Sequence, residues 1–214
     1  MRKLPLFILG LIAASCGNSG FEMSRYHEDG RAKPVIAVTS MIDTTSYDCP
    51  WSISEELTSM IVNQISQGGS IYVNSKDEFA FAENPFSNDL SWMKREFHNQ
   101  EFAVFLELVE HESLPAGLNK RVAKTVSPHE MSLNLNMGVR LRVVDLRGST
   151  PKIVLQEMVR DSYFIPKTLL PTDYNQVVWG TDEYRKSPMG IAHAQLVQEV
   201  VSRVSDYILL AKSR

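Results

Sequence analysis

Cysteine is almost missing from this chain: its 214 residues hold two, Cys16 and Cys49, so neither a disulfide framework nor a thiolate cluster is available. Charge of one sign is also scarce. Lys plus Arg number 22 against 25 for Asp plus Glu, a net charge of -3, and no dense basic run exists to neutralise phosphates, which excludes nucleic acid as a partner. No apolar run approaches the roughly 20 residues of a membrane-spanning helix. The five histidines, His27, His98, His111, His129 and His193, lack H-x-x-x-H or H-E-x-x-H spacing, so neither a metal nor a cofactor is expected. A G-x-S-x-G elbow, a P-loop and a G-x-G-x-x-G turn are all missing.

What remains of catalytic chemistry is thin. His111-Glu112 and His129-Glu130 are neighbours that point to opposite sides of an extended chain, and both histidines read as surface loop residues. Ser91-Trp92-Met93-Lys94 matches the S-x-x-K spacing of serine-lysine acyltransferases, but the S-D-N and K-T-G companions are missing, Lys124-Thr125-Val126 coming nearest. A hydrolase using Ser91 and Lys94 ranks below the other readings. Asp43 and Asp48 are explained by turn chemistry and by the positive end of a helix. No enzyme is expected.

The chain begins with Arg2 and Lys3, followed by Leu4 to Ala14 without a charge, which is the n-region and h-region of a secretory signal covering 1–15. Ala13-Ala14-Ser15-Cys16 then resembles the lipobox of a bacterial lipoprotein, which implies cleavage before Cys16 and acylation of that residue. The alternative is an ordinary signal peptide with an A-x-S type site, leaving Cys16 a free thiol. Removing the signal leaves 20 basic residues against 25 acidic, so the lipid rather than charge must hold the protein to a membrane. Gly17 rather than Asp follows the cysteine, which by the enteric sorting rule implies the outer membrane, with the domain facing the periplasm. Residues 16–33 read as a flexible tether, and 34–214 as one globular domain.

That domain reads as α/β (α+β): a mixed sheet of about five strands packed with three helices. Val35 to Ser40 and Ser70 to Asn74 are short strands, and Ser52 to Gln67 is a helix opened by a Ser52-x-x-Glu55 capping box. A second helix is expected over Asn88 to His98. Phe102 to Val109, apolar almost throughout, suits a central strand. From Met131 to Val143 apolar and polar residues alternate strictly, predicting one buried and one wet face, and Lys152 to Val159 is its antiparallel hairpin partner. Pro188 to Lys212 closes the chain as an amphipathic helix, with Ile191, Leu196, Val200, Val204 and Ile208 as its apolar stripe.

Asp161 to Pro188, with three prolines and no period, reads as a loop longer than a compact domain needs. Its aromatic residues Tyr174, Trp179 and Tyr184, with Trp51 from the turn before the first helix, are the expected partner-binding anchors.

The element order resembles a group of bacterial envelope proteins, with Pro34-Val35-Ile36-Ala37-Val38-Thr39-Ser40-Met41-Ile42-Asp43-Thr44-Thr45 opening it and Val139-Arg140-Leu141-Arg142-Val143-Val144-Asp145-Leu146-Arg147-Gly148 as a late strand. The group comprises the LpoB family of penicillin-binding-protein activators, the curli-secretion lipoprotein CsgG and the amino-terminal domain of TolB. A second resemblance is to the LPS-assembly lipoprotein LptE. Both imply a non-enzymatic accessory subunit whose partner is an envelope complex, either a peptidoglycan synthase or an LPS-export component. The chain departs from CsgG in lacking long amphipathic hairpins that would build a pore.

Overall fold

The computed structural model describes residues 24–74, 83–118, 131–169 and 172–214. The signal peptide, Cys16 and His129 lie outside the described residues. Ser24 to Lys33, placed in the tether by sequence, form a small hairpin: Tyr26 bridges Ala32, and Lys33 N–H donates to the Arg25 carbonyl at 2.9 Å.

Six strands make one sheet: β1 (Val35–Val38), β2 (Ile42–Asp43), β3 (Tyr72–Val73), β4 (Phe102–Pro115), β5 (Leu133–Asp145) and β6 (Lys152–Ile165). The order is β3-β1-β4-β5-β6, with β2 pairing β4 beyond the end of β1. Pairings among β1, β2, β3 and β4 are parallel, and β4, β5 and β6 run antiparallel. The expectation of a mixed sheet therefore holds, with β4 central as its apolar run required. The first strand stops after Thr39 N–H donates to the Val104 carbonyl at 3.1 Å, and the chain rejoins β4 one residue out of register, Val38 facing Val104 and Ile42 facing Glu107.

The helices are α1 (Ile53–Gln67), α2 (Met93–Glu96), α3 (Asp182–Lys186) and α4 (Pro188–Lys212). Ser52 caps α1 by accepting from Glu55 N–H at 3.2 Å, and Gly69, with φ at +69°, turns the chain out of it. Serine 187 caps α4 through Gly190 N–H, with Pro188 at its first position. α1 and α4 pack side by side on one face of the sheet, burying Leu57, Ile61 and Ile65 from α1 and Leu196, Val200 and Val204 from α4 against Val104, Leu106, Val139 and Leu141.

Three expectations are corrected. The long alternating strand is wet on one face only in its first half. Arg140 stays half-exposed, but from Leu141 to Val144 the strand is covered on both sides, because Phe86, Trp92, Met93 and Phe97 pack over Phe105 and Val144 as a second core cluster. Within Asn88 to His98 the helix is a single turn. Just before it, Arg142 reaches through the sheet face and donates to the carbonyls of Pro85 (2.8 Å), Phe86 (3.0 Å) and Ser87 (2.6 Å), and to Gln156 Oε1 (2.7 Å). Carbonyls spent on a buried guanidinium hold 85–87 as a loop. Finally, β6 continues to Ile165 and a 3-10 turn follows at Lys167–Leu169, so the 161–188 connection begins as strand and ends as helix α3.

Candidate functional site: a closed polar cluster beneath an aromatic turn

The ionisable side chains that converge do so inside the domain, at the end where α1 and α4 begin. Glu56 lies in the first turns of α1, where its charge meets the helix's positive end. It is 0% exposed, as is His193 on α4; Tyr184 on α3 is 2% and His111 on β4 is 4% exposed. The Glu56 carboxylate accepts from Trp51 Nε1 (2.8 Å), Tyr184 OH (2.5 Å) and His193 Nδ1 (2.8 Å). His193 Nε2 meets His111 Nε2 at 2.8 Å, and His111 Nδ1 has no hydrogen-bond partner.

With the His111 ring neutral, its Nε2–H can donate to His193 Nε2, leaving the partnerless Nδ1 as a bare lone pair. His193 Nδ1 also lies 2.9 Å from the Tyr184 hydroxyl. Burial, and then the neighbouring His193, push the His111 pKa down from 6.5 to about 3, so this ring is neutral throughout the ordinary pH range. Burial first, and then the Glu56 charge, push the Tyr184 phenol well up, keeping it a donor.

One carboxylate on α1 thus ties together α3, α4 and the turn before α1, and His193 extends the chain to β4. Aromatic rings close the cluster. Trp51 stands edge-on to Tyr184 (ring centroids 5.3 Å apart) and to Tyr174 (6.3 Å), and Tyr47 edge-on to His111 (4.3 Å). Cys49, half-buried between Tyr47 and Trp51, is a free thiol whose pKa is raised by burial. General acid-base chemistry needs a group that touches substrate. The four cluster residues are shut off from solvent.

Of the four expected anchors, Trp51, Tyr174 and Tyr184 are brought together by this cluster, and Trp179 packs half-buried against the main core. Tyr184 is a correction: a side chain 2% exposed is a core residue and cannot be a docking anchor. The same stretch exposes Phe164, and with it Leu169 and Val178, which a reading by aromatic residue type passes over. His111 is the second correction, since it is buried in the sheet rather than lying on a surface loop. Ser91 is exposed, and the Lys94 ammonium is spent on the Gly148 carbonyl. Asp43 does serve its own turn, accepting from Thr45 N–H and Oγ1, both at 2.8 Å.

Among the described residues no group of three or more His, Cys, Asp or Glu is placed to hold a metal ion, and no helix is long and apolar enough to cross a membrane. A cleft of about 1220 Å³ opens at the opposite end of the molecule, between the 24–33 hairpin and the last turn of α1; it is lined by polar residues such as His27, Lys33, Asn63 and Gln67 and does not reach the cluster.

A family model described as a family of unknown function, DUF7499, matches residues 22–212. None of the curated proteins matches the chain. Among solved structures, the hypothetical protein CT253 from Chlamydia trachomatis superposes with a TM-score of 0.68 at 22% identity, over 83% of this chain and 98% of that one. Protein XCC0632 from Xanthomonas campestris gives 0.49 at 10% identity, covering 86% and 90%, and the rare lipoprotein B from Shewanella oneidensis gives 0.39 at 12% identity, covering 83% and 98%. The first of these likenesses establishes a shared fold, and at 22% identity it carries no activity with it.

Proposed function

The chain belongs to that family of unknown function, and from this premise we propose that it is a non-catalytic, lipid-anchored accessory protein of the bacterial envelope. It is held at the outer membrane through Cys16, faces the periplasm, and binds an envelope protein complex. The observation that carries the reading is the charged start, the apolar run Leu4 to Ala14 and the small residues leading directly into Cys16. The sealed cluster supports it from the other side, because convergent ionisable groups without access to solvent fit a rigid binding module better than an active site. The docking surface on this reading is the 161–188 segment, which exposes Phe164, Leu169 and Val178 and packs Tyr174 and Trp179 half-buried against the core.

Metabolic labelling with a palmitate analogue tests the anchor: the wild type is labelled, Cys16→Ala is not, and the mature mass corresponds to a chain starting at Cys16. An unlabelled wild type defeats the proposal. Crosslinking and affinity capture then identify the partner. A peptidoglycan synthase is the expected recovery; an LPS-export component in its place supports the LptE-like alternative. Labelling of Ser91 by a fluorophosphonate probe would revive the hydrolase reading.

A further inference from the structure

The two ends of the domain differ in which surface they present. Ile36, Phe102, Asp145 and Lys152 form one register row at one end, and Pro115, Leu133 and Ile165 the row at the other. At a rise of about 3.3 Å per residue the 14-residue β4 separates these rows by about 43 Å.

Both the chain's entry and its last helix lie at the first end. The Glu101 carboxylate accepts from Val35 N–H at 3.3 Å, at the start of β1, and from Lys212 Nζ at 2.6 and 2.8 Å, at the end of α4. Arg147, just past β5, donates to the Ala211 carbonyl at 2.8 Å, and the 24–33 hairpin is held beside β1 and β3, with Arg25 stacked 5.0 Å over the Tyr72 ring. Segments that reach this end expose large apolar side chains: Leu210 at 50%, Leu209 and Tyr207 on α4, Tyr26 on the hairpin and, on the other face of the sheet, Ile153. Lys212 and Arg147 at this end are paired with Glu101 and Asp145, so the exposed apolar side chains, rather than a net positive charge, are what a lipid surface would receive.

From these positions we propose that this end of the domain, centred on Leu209 and Leu210, rests on the lipid surface to which the chain is anchored. The inference builds on acylation of Cys16, as given above. Seven residues lie between Cys16 and Ser24, eight Cα-to-Cα steps. Fully extended they reach at most about 28 Å, less than the length of the sheet. The anchor therefore holds the α4 terminus near the bilayer and leaves Phe164, Leu169 and Val178, at the far end, pointing away for a protein partner. Two patches of exposed apolar surface at opposite ends thus have two different occupants, and the short tether decides which is which.

The test uses the full acylated chain with Cys49→Ser, so that one introduced thiol carries an environment-sensitive fluorophore, either at Leu210→Cys or at Asn175→Cys. Each is reconstituted into phosphatidylethanolamine and phosphatidylglycerol vesicles containing headgroup-region nitroxide lipid. The label at position 210 should shift to the blue and lose most of its emission to the nitroxide, while the one at 175 stays bright; adding Leu209→Glu should restore emission at 210. Equal emission at both positions in an acylated chain overturns the docking while leaving the anchor intact. Self-quenching at 210 without nitroxide quenching overturns it in favour of contact with a second copy. A mass without acyl groups defeats the anchor and this inference with it.

Discussion

Acid should weaken this domain through His111. In the folded protein the ring is held neutral, its pKa down at about 3, whereas in the unfolded chain it titrates near 6.5. Between those values the unfolded state binds a proton that the folded state refuses, so stability is complete above pH 6.5 and is lost as the pH falls toward 3. At pH 5 the loss amounts to about 2 kcal/mol, and at pH 4 to about 3 kcal/mol. The comparison is with His111→Gln, whose amide can still donate to His193 Nε2 and has no proton to gain. Glu56, Tyr184 and His193, together with Tyr47 on the other face of His111, are present in both proteins, so the difference between the two pH profiles isolates this ring. Urea unfolding followed by tryptophan fluorescence from pH 7 to pH 5 measures it. Wild type should lose about 1 M in midpoint more than the variant, taking a slope of about 2 kcal/mol/M. Equal acid sensitivity in the two would refute the assignment of a neutral buried His111.

Leu141→Asp, and equally Leu135→Asp, places a charge where the side chain is at most 1% exposed and costs several kcal/mol; a circular dichroism melt should show an unfolded or strongly destabilised domain, and wild-type melting would overturn the inward facing of β5. Tyr184→Phe removes one of three donors to the buried Glu56 carboxylate and should lower stability by about 1–3 kcal/mol in urea titration, with no loss of fold. Gly190→Ala would set a methyl 2.1 Å from the Tyr184 carbonyl oxygen, where α4 starts against the backbone of α3, so a cost of about 1–3 kcal/mol or more should appear as a lower melting temperature.

Local pattern carried most of the architecture. The capping box at Ser52, Pro188 after a serine, and the apolar run of β4 placed the starts of these elements to within a residue, because each is a matter of near neighbours and backbone hydrogen bonding, while β4 runs on past Val109 to Pro115. The cluster left a fainter trace. Glu56 falls between Ile53, Leu57 and Ile61 on the apolar face of α1, and His193 lies three residues before Leu196 and seven before Val200 on α4. An ionisable group on each of two apolar stripes signals a mutual partner, and the stripe drawn through Ile191 instead was rotated past His193. Pairing of these side chains across 137 residues is a tertiary event.

Arg142 shows the same boundary from the other side. Its alternating strand assigns it to the wet face, and nothing near it in sequence says that Pro85, Phe86 and Ser87 will fold over it. By itself the sequence determined the class of fold and the order of its main strands and helices, though not the short β2 and α3, since periodicity and caps act over a few residues. Only the tertiary structure decided which polar groups are sealed inside, that Tyr184 is core, and which end of the sheet lies beside the tether. Those outcomes depend on surfaces contributed by segments distant in sequence, whose burial removes water from all of them at once.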